Sequence, residues 1–302
     1  MINETYKAML GGKSVIRTLS EYATARGTEI GYDNVFDYSL GNPSVPCPSS
    51  FTKAMIDMYE TADPVALHGY SPSLGNPEAC RTIAESLNRR FGMDYTAGHI
   101  FPTTGAAGAL AHALRAVTKP GDEVLTFAPY FPEYHPYVEG AGARLTVVPA
   151  DIESFQINFA AFEAALNPEV AVVLINTPNN PSGAVYSAET LDRLAGILRA
   201  KQAEYGHDIF LISDEPYREI VFDGGTQPYP AKFYDNTLTC YSWSKSLSLP
   251  GERIGYVAVN PRRPTPNSSC RCAGRSRAAP ATTARAPACS SPWRRSSTRP
   301  AT

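Results

Sequence analysis

Lys245 stands in SWSKSLSLPGER, just after the apolar run TLTCY, and Arg253 follows eight residues later. A lysine amine has a free pKa of about 10.4 and is mostly protonated at neutral pH. It becomes a nucleophile only when desolvated or joined to a carbonyl as an imine. The planar guanidinium of Arg253 suits a phosphate. Ser242 and Ser244 add hydroxyls beside the lysine. Further polar residues close other apolar runs: Asp214 and Tyr217 in SDEPY, and Asn180 in NTPNNPSG. A carboxylate at a buried strand end needs a partner. TTGAAGAL, with Gly105, Ala106 and Ala107, places small residues at a helix start, where free N–H groups and the helix dipole favour an anion. FAPYFPEY offers Phe131, a flat apolar ring. Together these parts suggest a ligand with a phosphate, a flat ring and an aldehyde. Each also has a plain alternative: a solvated loop charge, a turn, a carboxylate paired with an arginine or a helix N-terminus, or core packing.

These residues need elements to position them. Apolar runs recur between turn residues: EVLTFA (123–128), RLTVVPA (144–150), VAVVLIN (170–176), DIFLISD (208–214), TLTCYSW (237–243) and RIGYVAVN (253–260). Most lack strict alternation, so they read as strands buried on both faces. Helical patterns lie between them. NPEACRTIAESLNRRFG stops at Gly92, AAGALAHALRAVTK stops at Pro120-Gly121, and SAETLDRLAGILRAKQAEYG opens on Ser187 and closes at Gly206. Strands alternating with helices predict an α/β fold with a doubly wound, mostly parallel sheet. Ligands of such sheets bind beyond the carboxyl ends of the strands, where the residues above cluster.

Composition narrows the function classes. The chain has 302 residues, 43% hydrophobic and 19% charged, with a formal net charge of −2. That balance suggests a globular enzyme, and neither a nucleic-acid nor an anionic-membrane partner. MINETYKAML has no apolar core of a signal peptide, and no apolar run reaches the roughly 18 residues of a membrane span. Six scattered cysteines without a CxxC pair fit reduced thiols in a cytoplasm and no metal site. TTGAAGAL matches neither GxGxxG nor GxxxxGK[ST], so nucleotide binding has no motif support. Residues 264–302 differ: they hold seven arginines and no Asp, Glu, Lys, Ile, Leu, Val, Phe, Met or Tyr. That low-complexity tail cannot build a core and is expected to be disordered. A basic nucleic-acid-binding tail is one reading; a GC-rich gene read out of frame is the favoured one.

In their order along the chain these motifs resemble the class I/II aminotransferases, the aspartate-aminotransferase-like, fold-type-I pyridoxal-phosphate enzymes. SWSKSLSLPGERIGY, NNPSG, DEPY and the GAA turn carry the resemblance, which runs from about residue 15 to 261. It implies that Lys245 holds pyridoxal 5′-phosphate as an internal aldimine and is the catalytic proton carrier. It implies that Asp214 pairs with the ring nitrogen, that Asn180 and Tyr217 bond the phenolic oxygen, and that Phe131 stacks on the ring. Ser242, Arg253 and the backbone of Gly105, Ala106 and Ala107 would hold the phosphate. Tyr70, in HGYSPSLGNPEAC, would reach the phosphate in a partner subunit, and Gly41, in SLGNPSVP, would lie near the substrate carboxylate. The implied activity is ping-pong transfer of an amino group between an amino acid and a 2-oxo acid, in a homodimer.

The same resemblance implies a domain plan: residues 1–45 belong to a small domain, 46–263 form the large cofactor domain, and 264–302 are a tail. Because the family pattern stops at about Pro261, the small domain is expected to be incomplete, and the arginine that clamps the substrate carboxylate is assigned to no residue. Alternatives on the same fold are a carbon–sulfur β-lyase, a catalytically defective fragment and a non-catalytic effector-binding domain.

Overall fold

A computed structural model describes Lys7, residues 15–39 and residues 41–263. The 264–302 tail, for which disorder is expected, lies outside the described residues. The apolar runs form strands β2 (Glu123–Phe127), β3 (Arg144–Val148), β4 (Val170–Asn176), β5 (Phe210–Asp214), β6 (Thr237–Ser242) and β7 (Ile254–Val259). A first strand, β1 (Ile100–Thr104), was not expected, because IFPTT carries a proline and two threonines rather than an apolar run. The seven strands make one sheet in the order β1-β7-β6-β5-β4-β2-β3. β7 runs antiparallel to β1 and β6, and the other pairings are parallel.

The helices are α1 (Val15–Ile30), α2 (Ser49–Thr61), α3 (Pro64–His68), α4 (Pro77–Phe91), α5 (Gly105–Val117), α6 (Tyr134–Glu139), α7 (Phe159–Ala165) and α8 (Ala188–Tyr205). Their ends follow local chemistry. The Asn76 side chain accepts from the N–H groups of Glu78 (2.9 Å) and Ala79 (3.2 Å), and Ser187 Oγ accepts from Thr190 N–H (3.0 Å). Gly92 (φ 63°) and Gly206 (φ 73°) close α4 and α8 in the left-handed region, as expected of glycine there.

Both faces of the sheet are covered, which explains the unbroken apolar strands. On one face Val124, Val172, Leu174, Ile212, Cys240 and Val257 pack against Leu110, Ala113 and Leu114 of α5 and Val138 of α6. On the other, Leu125, Phe127, Val173, Ile175 and Leu211 meet Phe162 of α7 and Leu191, Leu194 and Leu198 of α8. Cys80, Ala84 and Leu87 of α4 cover Ile100, Tyr241 and Tyr256 at the β1 end. β3, the outer strand, is less enclosed than expected; only its Val148 is fully buried. The N-terminal helices differ: α1 buries Gly27 alone, α2 and α3 bury nothing, and Leu19, Tyr22, Phe36, Ile56, Tyr59 and Val65 stand exposed.

One close approach decides how β7 meets the start of α5. A Cβ at Gly255 would lie 2.5 Å from the Tyr241 carbonyl oxygen and 2.7–2.8 Å from the Gly105 backbone. Backbone atoms cannot swing aside as a flexible side chain can. Gly255→Ala is therefore expected to destabilise the fold by about 1–3 kcal/mol, read as a lower urea midpoint. An unchanged midpoint would show that the Gly105 turn does not pack against β7 this closely.

Candidate active site

The topology collects the candidate residues at one edge of the sheet. Asp214 ends β5, and Ser242 ends β6 three residues before Lys245. Gly105, Phe131 and Asn180 follow the ends of β1, β2 and β4. Arg253 immediately precedes β7, and because β7 is antiparallel its start lies at the same edge. The register sets Asn176 beside Asp214, Asp214 beside Cys240, Ser242 beside Gly255 and Thr104 beside Ile254.

Asp214 is buried, and its surroundings are specific. Oδ2 accepts a 2.8 Å hydrogen bond from the Tyr134 hydroxyl. The backbone carbonyl of Asp214 accepts from Asn176 Nδ2 at 2.9 Å. Oδ1 is buried and, among the described residues, has no hydrogen-bond partner. Burial pushes the carboxyl up to about 7; the Tyr134 hydrogen bond pulls the other way, and the neighbouring Glu215 adds to the rise. A nearby arginine, one of the plain partners open to this carboxylate, pairs elsewhere: Arg218 Nε donates to Glu215 Oε2 at 2.7 Å, both side chains buried. The Arg218 guanidinium lies against the rings of Tyr241 (4.7 Å), Tyr229 (5.2 Å) and Phe91 (5.3 Å). Tyr134 and Asn176 went unread in the sequence. Asn176 had one signal, a polar residue closing VAVVLIN; nothing local marked Tyr134.

Lys245 is part-buried, and its amine donates to the Gly41 carbonyl, so two expected site residues 204 positions apart in sequence meet directly. The amine lies 5.9 Å from the centroid of the Tyr217 ring. Burial, and then the charge of Arg253, hold its pKa below the usual lysine range. A larger fraction of neutral, nucleophilic amine follows. The Tyr217 phenol is raised chiefly by burial and then by Asp214, with Asn180 acting in the opposite direction.

The anion-binding parts also converge. Gly105 has φ +72°, and a Cβ there would sit 2.7 Å from Arg253 Nη2, so only a glycine lets the guanidinium lie against the start of α5. Arg253 itself has φ 53°, and its Nη1 donates to the Pro250 carbonyl at 3.0 Å. Ala106 and Ala107 lie in the first turn of α5, where N–H groups have no acceptor within the helix. Ser242 is buried at the end of β6. Phe131 meets Tyr134 edge-to-face, with centroids 5.8 Å apart and planes at 85°. Tyr70 stands outside this cluster: it is 96% exposed on its own chain.

Among the described residues no group of three or more His, Cys, Asp or Glu could hold a metal ion. Among them, too, no helix is long and apolar enough to cross a membrane.

Comparison with known proteins agrees with this fold. Residues 33–290 match the model of the family described as aminotransferase class I and II. The match begins later than the motif resemblance and runs to residue 290. An aspartate/prephenate aminotransferase of Cereibacter sphaeroides is 32% identical over 250 residues, covering 80% of this chain and 60% of that protein. A probable N-acetyl-LL-diaminopimelate aminotransferase of Bacillus subtilis is 29% identical, covering 75% of this chain and 55% of that protein. The chain thus spans under two thirds of the length of these relatives. A crystal structure of an amino transferase from Eubacterium rectale superposes with a TM-score of 0.88 at 46% identity, covering 92% of this chain and 70% of that one. The strand-end cluster, the sheet that carries it and these matches agree, and the chain belongs to the class I and II aminotransferase family.

Proposed function

We propose that this chain moves an amino group between an amino acid and a 2-oxo acid, with pyridoxal 5′-phosphate as cofactor. The observation that carries the reading is the orphaned Oδ1 of a buried Asp214 at the same sheet edge as a part-buried Lys245. A buried carboxylate oxygen without a donor is costly, and a protonated ring nitrogen would satisfy it. The other residues fit the rest of the group: Arg253, Ser242 and the Gly105, Ala106 and Ala107 backbone suit its phosphate, and Lys245 suits its aldehyde.

When bound, pyridoxal 5′-phosphate supplies an aldehyde that joins an amine covalently and a protonated ring that draws off electrons from the substrate α-carbon. The chain's own residues do the rest. Asp214 would hold the proton on the ring nitrogen. Asn180 and Tyr217 would donate towards the phenolic oxygen, and Phe131 would cover a ring face. Neutral Lys245 Nζ would take the α-proton and, as the ammonium, deliver it to the carbon that carried the aldehyde. Gly41, already against Lys245, borders the substrate carboxylate.

A homodimer belongs to the same reading, with Tyr70 reaching the partner's phosphate site. The exposed apolar side chains of α1 to α3 support it, since a second copy could cover them. A domain division in which residues 1–45 join a smaller domain and 46–263 bind the cofactor is part of the same reading. A cytoplasmic setting is likewise part of the reading.

The test incubates the purified chain with pyridoxal 5′-phosphate, aspartate and a panel of 2-oxo acids that includes prephenate. Appearance of the donor's own 2-oxo acid, matched by amination of an acceptor, supports the reading. Pyruvate plus ammonia from a cysteine conjugate would replace it with a lyase. Arg253→Ala is expected to weaken cofactor binding roughly tenfold to a hundredfold, since a charge-assisted contact is lost. Binding of pyridoxal, which lacks the phosphate, should not change.

A further inference from the structure

Tyr134 and Asp214 are 80 residues apart and share a buried hydrogen bond. Tyr134 opens α6 and is wholly enclosed, with Phe131 edge-on and Tyr130 stacked 6.5 Å away. Its phenol is held well above the usual tyrosine range, first by burial and then by Asp214, so it stays an O–H donor at any working pH. The groups facing the Asp214 carboxyl are Tyr134 and Tyr137 from α6, Glu215 and Tyr217 after β5, and the Cys240 thiol on β6. Of these, the one hydrogen bond the structure gives its side chain comes from Tyr134.

We infer that Tyr134 is a positioning residue: its hydroxyl engages Oδ2, fixes the carboxyl plane and leaves Oδ1 as the acceptor for the cofactor's ring N–H. This rests on the reading of Asp214 given above. Two hydrogen bonds to one carboxylate, one permanent and one made on binding, favour the anion that the ring nitrogen requires. Without the permanent bond the carboxyl can turn about its terminal torsion, and it is stabilised from one side only. The plain alternative is a core tyrosine whose hydroxyl merely found a partner.

Tyr134→Phe keeps the ring and deletes the hydroxyl. Binding of pyridoxal 5′-phosphate is compared with binding of its 1-deaza analogue, in which carbon replaces the ring nitrogen. The expected result is about tenfold weaker binding of the natural cofactor, the loss of one charge-assisted bond, with the analogue unchanged. Equal weakening of both, or no weakening of either, overturns the inference. A second readout needs no cofactor: carboxyl-carbon NMR of the labelled apo chain should show Asp214 titrating at higher pH in Tyr134→Phe than in the parent. In the parent itself the shielded Tyr134 hydroxyl proton should shift as Asp214 titrates, which checks the hydrogen bond even if the variant folds poorly. Unmoved signals overturn the inference. A parent chain that binds no cofactor would overturn the proposed function instead, while the apo titration still decides Tyr134.

Discussion

Lys245→Ala is expected to remove the visible absorption band of lysine-bound cofactor and to slow amino transfer on the order of 10⁴-fold, the upper range for losing a positioned general acid–base. Two roles end together. The covalent link needs an amine, and alanine has none. The α-proton needs a base within reach, and among the described residues the other candidate groups do not serve. Tyr217 is a raised phenol, Asp214 is engaged by Tyr134, and the guanidinium of Arg253 offers donors and no acceptor. The depressed pKa of Lys245 makes the effect depend on pH. Lowering the pH converts neutral amine to ammonium, so transfer by the parent should fall on the acid side, whereas the slow residual rate of Lys245→Ala should lack that limb. Absorption spectra and rates against pH, taken side by side, check both points. A variant that kept the band, or kept most of the rate, would remove Lys245 from the centre of the site.

Asp214→Asn is the second large change, and it acts in two directions. On catalysis it replaces a carboxylate with a neutral amide opposite the ring nitrogen, and transfer should slow roughly 10²–10³-fold, as when one preorganised electrostatic partner is lost. On the cofactor-free fold it should do the opposite. The Asp214 carboxyl is raised from 3.8 to about 7 in the folded chain. Between those pH values the folded state binds more protons than the unfolded one, so stability falls as pH rises and levels off above about 7. The loss from this group is about 4 kcal/mol, taking about 1.4 kcal/mol per unit. Asp214→Asn has no such proton to lose, so its unfolding midpoint should lack this component of the slope. Bound cofactor, by offering a charged N–H to Oδ1, should flatten the parent's slope as well. Urea melts from pH 4 to pH 8, with and without cofactor, separate these expectations. A parent apo chain with no loss across that window would mean that Asp214 is already compensated without the cofactor.

The division between sequence and tertiary structure falls along the range of the forces involved. Hydrophobic runs, turn residues and caps act over a few positions, and they placed β2 to β7 within two residues and closed α4 and α8 at Gly92 and Gly206. The order of the motifs likewise identified the family and singled out Lys245, Asp214, Arg253 and their companions before any geometry. β1 escaped because pairing with β7, and not its own composition, makes IFPTT a strand. The antiparallel course of β7 could not be read locally, yet it alone sets the start of that strand, and so Arg253, against Gly105. The contacts of Lys245 with Gly41 and of Asp214 with Tyr134 join residues 204 and 80 positions apart. Such pairs depend on sheet register and on helices packing over both faces, so only the folded chain decides which buried donor meets which acceptor.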